Sequence, residues 1–79
     1  MKYLVLEFKD DYRMNAMNIH RDISKGNRGV SYIAGNICMK SNDISIEEMS
    51  DEYIKFMFNG KMYTINAVCV DRVRLERID

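Results

Sequence analysis

The sequence predicts a mainly β domain: a small, strongly bent antiparallel sheet or partly open barrel of about five strands, with a C-terminal β-hairpin at 53–66 and room for one short helix in 11–25. An α+β arrangement is the alternative. Three observations lead there. Asn59-Gly60 sits between two alternating segments, which is the strongest short-range hairpin signal. Apolar residues recur with period two near the N-terminus and around residue 32. Only one segment repeats its apolar residues at helical spacing, and the chain holds no proline.

Taken in order, Lys2 to Phe8 reads as a strand with Leu4, Leu6 and Phe8 on one side. Asp11 to Lys25 places Tyr12, Ala16, Ile19 and Ile23 on one helical face, with Asp10 or Asp11 as N-cap and Gly26 as C-cap; Asn15 and Asn18 are poor helix formers and leave a loop as the competing reading. Gly29 to Met39 reads as a single strand in which Val30, Tyr32 and Ala34 alternate with Ser31, Ile33, Gly35 and Ile37. Gly35 inside that run marks a bulge or a close backbone approach. Ser45-Ile46-Glu47-Glu48 fits both a capping box and a strand; the alternation of Ile44 and Ile46, leading into a tight turn at Ser50-Asp51, favours the strand.

The hairpin register follows from its two-residue loop. Phe58 faces Lys61, Met57 faces Met62, Phe56 faces Tyr63 and Ile54 faces Ile65. One face then carries Ile54, Phe56, Phe58, Tyr63, Ile65 and Ala67, and the other Tyr53, Lys55, Met57, Met62, Thr64 and Asn66. A slip of one residue would destroy that separation. After Val68-Cys69-Val70 the alternation lapses at Asp71 and resumes with Val73 and Leu75, which predicts a bulge or corner near Asp71-Arg72.

Residues 1–79 allow a single compact domain without a linker. A chain this short hides only roughly 60% of its unfolded surface, so support from a disulfide, a metal or a partner is expected. Cys38 and Cys69 each lie in an apolar run that reads as strand, where free thiols act as small hydrophobes; a disulfide across the fold is the alternative. His20 is the only histidine and no Cys-x-x-Cys occurs, so no metal or other cofactor is expected. Self-association is the remaining support, and a homo-oligomer is expected. The N-terminal apolar run is too short for a signal peptide, and no stretch reaches the roughly 20 apolar residues of a membrane span. A cytoplasmic protein without a membrane partner is therefore expected, in the cytoplasm of the host cell if a phage encodes it.

Twelve basic and twelve acidic residues cancel, which disfavours a dedicated duplex-binding protein. The charges are nevertheless segregated. Asp43, Glu47, Glu48, Asp51 and Glu52 form an acidic stretch, whereas Arg13, Arg21, Lys25 and Arg28 face only Asp22 within theirs. No nucleophile elbow, phosphate loop, zinc helix or dinucleotide fingerprint is present, so catalysis is not expected. The candidate ligand-binding residues are His20, Arg21, Lys25, Asn27 and Arg28, where two glycines let backbone N–H groups approach an anion. Tyr32 follows as a stacking platform, and Arg72 and Arg74 share a face of the last strand. A helix C-terminus is the stronger reading of the first group, since its carbonyls favour cations without any ligand. Tyr53, Met57 and Met62 would leave an apolar stripe on a monomer, and such stripes mark interfaces.

In size, in richness of Ile, Asn, Lys and Met, and in lacking catalytic motifs, the chain resembles the short accessory proteins of bacteriophages and mobile elements. That resemblance implies defence evasion: an inhibitor of a host factor, or a protein sequestering a nucleotide signal. A host protein would be met by the acidic 43–52 segment or the Met/Tyr stripe. A small phosphorylated ligand such as a nucleotide would be held by Arg21, Arg28 and Tyr32, across a subunit boundary. A nucleic-acid-binding small barrel presenting Arg72 and Arg74 is the alternative function, and an enzyme ranks third.

Overall fold

The computed structural model describes residues 1–78. The alternating segments become seven strands in two antiparallel sheets: β1 (Lys2–Phe8), β2 (Val30–Ile33), β3 (Asn36–Ser41), β4 (Ile44–Met49), β5 (Tyr53–Phe58), β6 (Lys61–Asn66) and β7 (Val70–Arg77). One sheet has the order β2-β3-β1-β7 and the other is the meander β4-β5-β6. They do not join into a closed barrel. The sheets face each other across one core, to which β1 gives Leu4, Leu6 and Phe8, β3 gives Ile37 and Met39, and the meander gives Ile44, Ile54, Phe56, Phe58 and Ile65.

The segment after β1 is helical, beginning with a 3-10 turn at Asp10–Tyr12 and continuing as α1 (Arg13–Ser24). Its apolar spacing delivers Ala16 and Ile23 to the core, with Tyr12 and Ile19 at the margin. Neither Asp10 nor Asp11 caps it; the residue before α1 is Tyr12, with no side-chain hydrogen bond. At the other end Gly26 has φ +71°, the left-handed conformation that terminates helices after the last turn.

Two further expectations change. Residues 29–39 are not one strand but a hairpin, because Ala34 (φ 51°) and Gly35 (φ 84°) form a two-residue turn with positive φ at both centres. The reversal sets Tyr32 opposite Ile37 and so gives both the same face, which an unbroken strand would forbid. Asp71 is indeed an extra residue, since Glu7 pairs with Arg72 and Phe8 with Val70. The corner itself, however, lies upstream, in a 3-10 turn at Ala67–Cys69 that carries the chain from one sheet to the other. Cys69 therefore sits in that turn rather than in a strand. Cys38 and Cys69 are free, buried thiols.

The 53–66 hairpin has the expected register throughout, from Phe58 against Lys61 to Tyr53 against Asn66. Residues 44–49 are a strand, and the turn after it is held by Ser50, whose Oγ accepts from the backbone N–H groups of Glu52 (3.3 Å) and Tyr53 (3.0 Å).

Candidate binding surfaces

The basic segment is built into the fold by Asn27. Its Nδ2 donates to Ile23 O at the helix end (2.7 Å) and contacts Tyr63 Oη (3.2 Å), while its Oδ1 accepts from Asn59 Nδ2 (3.2 Å). One side chain thus fastens α1 to the β5–β6 hairpin, and a ligand would have to displace those bonds to use it. His20 is half-buried against Tyr32, their rings 5.9 Å apart, and its Nε2 is 3.3 Å from Ser24 Oγ. Tyr32 itself packs against the core margin. Arg21 donates to Asn18 Oδ1 (2.8 Å), and Lys25 lies 3.8 Å from Asp22. Arg28 is exposed and borders a shallow depression of about 550 Å³ with Gly29, Lys40, Ser41, Asn42 and Asn59. The structure brings His20 to Tyr32 and Asn27 to the hairpin; Arg28 shares its depression with neither Arg21 nor Tyr32.

Arg72 and Arg74 lie elsewhere, on the outer face of the four-stranded sheet. Rows across that face read Ile33, Asn36, Glu7, Arg72, then Ser31, Cys38, Val5, Arg74, then Lys40, Tyr3, Glu76. Arg74 reaches both Glu7 (3.1 Å) and Glu76 (3.2 Å), and Arg72 lies 3.9 Å from Glu7. The two guanidiniums converge on a carboxylate, which already occupies the place a phosphate would take. Beneath them Val5 is 1% exposed although it faces away from the core.

Period-two parity also assembles a cleft that sequence reasoning missed. Tyr3, Gly29, Val30, Ser31, Ile33, Cys38 and Lys40 surround about 320 Å³. Lys40 Nζ stands 5.5 Å from the Tyr3 ring centroid. Tyr3 is held above the usual tyrosine pKa, first by its interaction with the neighbouring Cys38 side chain and then by desolvation. The alternation of β1 and β3 carried the parity signal, but the pairing of these strands was not readable locally.

The third surface is the outer face of the meander. Tyr53 and Met62 are 41% and 47% exposed, and Met57 lies directly across from Met62. Lys55 pairs with Glu48 at 3.8 Å beside them. All three residues of the sequence-derived stripe therefore share one face. Among the described residues no His, Cys, Asp and Glu side chains gather to hold a metal, and no helix is long and apolar enough to cross a membrane.

In comparisons with known proteins the chain matches no family model, no curated protein and no solved structure.

Proposed function

We propose that the chain is a non-catalytic binding protein that works as a homo-oligomer, using the three-stranded sheet as its contact region. The observation that carries this reading is the Tyr53, Met57 and Met62 stripe, in which Tyr53 and Met62 are exposed and Met57 half-buried, on a sheet whose other face supplies the core. Light scattering at micromolar concentration is the test. A dimer or larger species is expected, and a strict monomer up to the solubility limit overturns the reading.

Inhibition of a host factor, in the manner of a phage accessory protein, rests on the resemblance in size and composition. Of the two ligand types, a protein target fits better than a nucleotide, because Arg21, Lys25, Arg72 and Arg74 each already have a partner within the chain. A thermal-shift screen with linear and cyclic nucleotides separates them. A ligand at 100 times its Kd adds about 2.7 kcal/mol, so a clear shift with any nucleotide would restore sequestration across a subunit boundary.

A further inference from the structure

Two sheets expose four strand edges, and an edge is a row of unpaired N–H and C=O groups that proteins usually guard. Three of the edges here carry a recognised guard. Strand β2 has only four residues and lies under α1. Strand β4 is broken by a bulge between Ile46 and Glu48 and bears Glu47 and Glu48. Strand β7, with the sequence Val-Asp-Arg-Val-Arg-Leu-Glu-Arg, is dominated by charge and bulged at Asp71.

Among the described residues, strand β6 lacks such guards. It runs Lys-Met-Tyr-Thr-Ile-Asn without a bulge, pairs only with β5, and has its single charge, Lys61, beside the turn. The two-residue loop makes Phe58 and Lys61 a hydrogen-bonded pair, so Lys61, Tyr63 and Ile65 direct their backbone groups at β5. The bond from Ala67 N–H to Glu52 O continues that phase. The backbone groups of Met62, Thr64 and Asn66 therefore point away from the sheet.

We infer that two copies of this chain join edge to edge along β6, in antiparallel register about a two-fold axis at Thr64. The inference rests on the homo-oligomer proposed above but moves the contact between copies from the Tyr53, Met57 and Met62 stripe to the edge of the same sheet, which leaves the stripe open to a protein target. With the axis at Thr64, that residue faces its own counterpart, and Met62 faces Asn66 of the partner subunit. All three outward-pointing residues then become hydrogen-bonded pairs, each exchanging both N–H···O bonds. The edge is self-complementary: an isologous contact requires one patch to match itself, and here the threonine hydroxyls can bond across the axis. The two copies of Lys61 fall at opposite ends of the ladder and do not repel. The result is one six-stranded sheet on which both Tyr53, Met57 and Met62 stripes share a continuous outer face.

The test uses the full chain and three variants. Thr64→Pro removes an N–H that β5 does not use, and Thr64→Lys sets two ammonium groups against each other at the axis; Met57→Lys alters the outer face but not the edge. Wild type and Met57→Lys should sediment as dimers at micromolar concentration, whereas both Thr64 variants should be monomers with unchanged far-ultraviolet circular dichroism. In a mixed-label dimer, an intersubunit Hα–Hα cross-peak should join Tyr63 to Ile65 of the partner subunit. Dimeric Thr64 variants together with a monomeric Met57→Lys would overturn the edge pairing and leave the homo-oligomer standing, with its copies meeting face to face. A monomeric wild type would remove both. If a Thr64 variant fails to fold, the cross-peak in the wild type decides: its absence from a dimer sinks the edge pairing.

Discussion

The two hairpins of this protein turn through nearly the same angles on different chemistry. Asn59 and Gly60 have φ of 51° and 82°, and Ala34 and Gly35 have 51° and 84°. Asparagine tolerates the left-handed region, whereas alanine gains nothing there and clashes with its own carbonyl. The β5–β6 turn is therefore encoded where it occurs. The β2–β3 turn is imposed from a distance, since β3 lies against β1, and Phe8 N–H donates to Gly35 O at 3.3 Å. Equal geometry thus conceals unequal local support.

The largest expected effect asks whether both hairpins serve one core. Phe56, fully buried on β5 and stacked on Tyr63, should cost about 3–5 kcal/mol as Phe56→Ala, and Ile37→Ala on β3 about 2–5 kcal/mol. Urea denaturation should show a single transition for each. Two transitions in either variant would mean that the hairpins are separately stabilised.

Turn substitutions sharpen the contrast. A Cβ at Gly35 or Gly60 meets no atom within 4 Å, so Gly35→Ala and Gly60→Ala differ from wild type mainly by left-handed strain, roughly 1–2 kcal/mol each. Their kinetics should differ. Gly60→Ala should slow folding, because a locally encoded turn forms early, and Gly35→Ala should chiefly speed unfolding. Equal partition in stopped-flow measurements would erase the distinction. Ala34→Asn should raise stability by about 0.5–1 kcal/mol, as a residue suited to positive φ replaces one that is not. A neutral result would show that the imposed turn carries no strain worth relieving.

The smallest effect reports docking of the β2–β3 hairpin on β1. Tyr3 owes its raised pKa first to the Cys38 side chain, so Cys38→Ala should lower it toward the ordinary value of 10.0 in an ultraviolet titration. Because the folded pKa is raised, the associated stability is fully present below the unfolded value and is lost as pH rises through the folded one.

The same contrast explains what the sequence disclosed. The 53–66 register, the core faces of β1 and β5, the strand at 44–49 and the extra residue at Asp71 all depend on period two plus a turn or bulge with its own residue signature. The β2–β3 reversal has no such signature: Ala34-Gly35 reads locally as a bulge, and only the pairing of Ile37 with Leu6 decides otherwise. The candidate site divides similarly. Tyr53, Met57 and Met62 share one hairpin, so its register alone sets them on one face. Arg21 with Asn18 and His20 with Ser24 are pairs within one helix, within reach of helical spacing once α1 is granted. The packing of His20 on Tyr32 and the pairing of Arg72 and Arg74 with Glu7, by contrast, join elements distant in sequence and could not be assigned by spacing. The cleft formed by Tyr3 and Lys40 lay hidden for the same reason.

The register that sets Lys2 beside Arg77, with Ile78 N–H donating to Met1 O at 2.8 Å, also has a consequence in time. Strand β1 is translated before every other strand described, and its partner β7 after all of them. At about 5–20 residues per second, Leu4, Val5, Leu6 and Phe8 spend on the order of ten seconds as an incomplete apolar ribbon. A nascent chain stalled before residue 70 should therefore be chaperone-dependent, however well its central hairpin has formed.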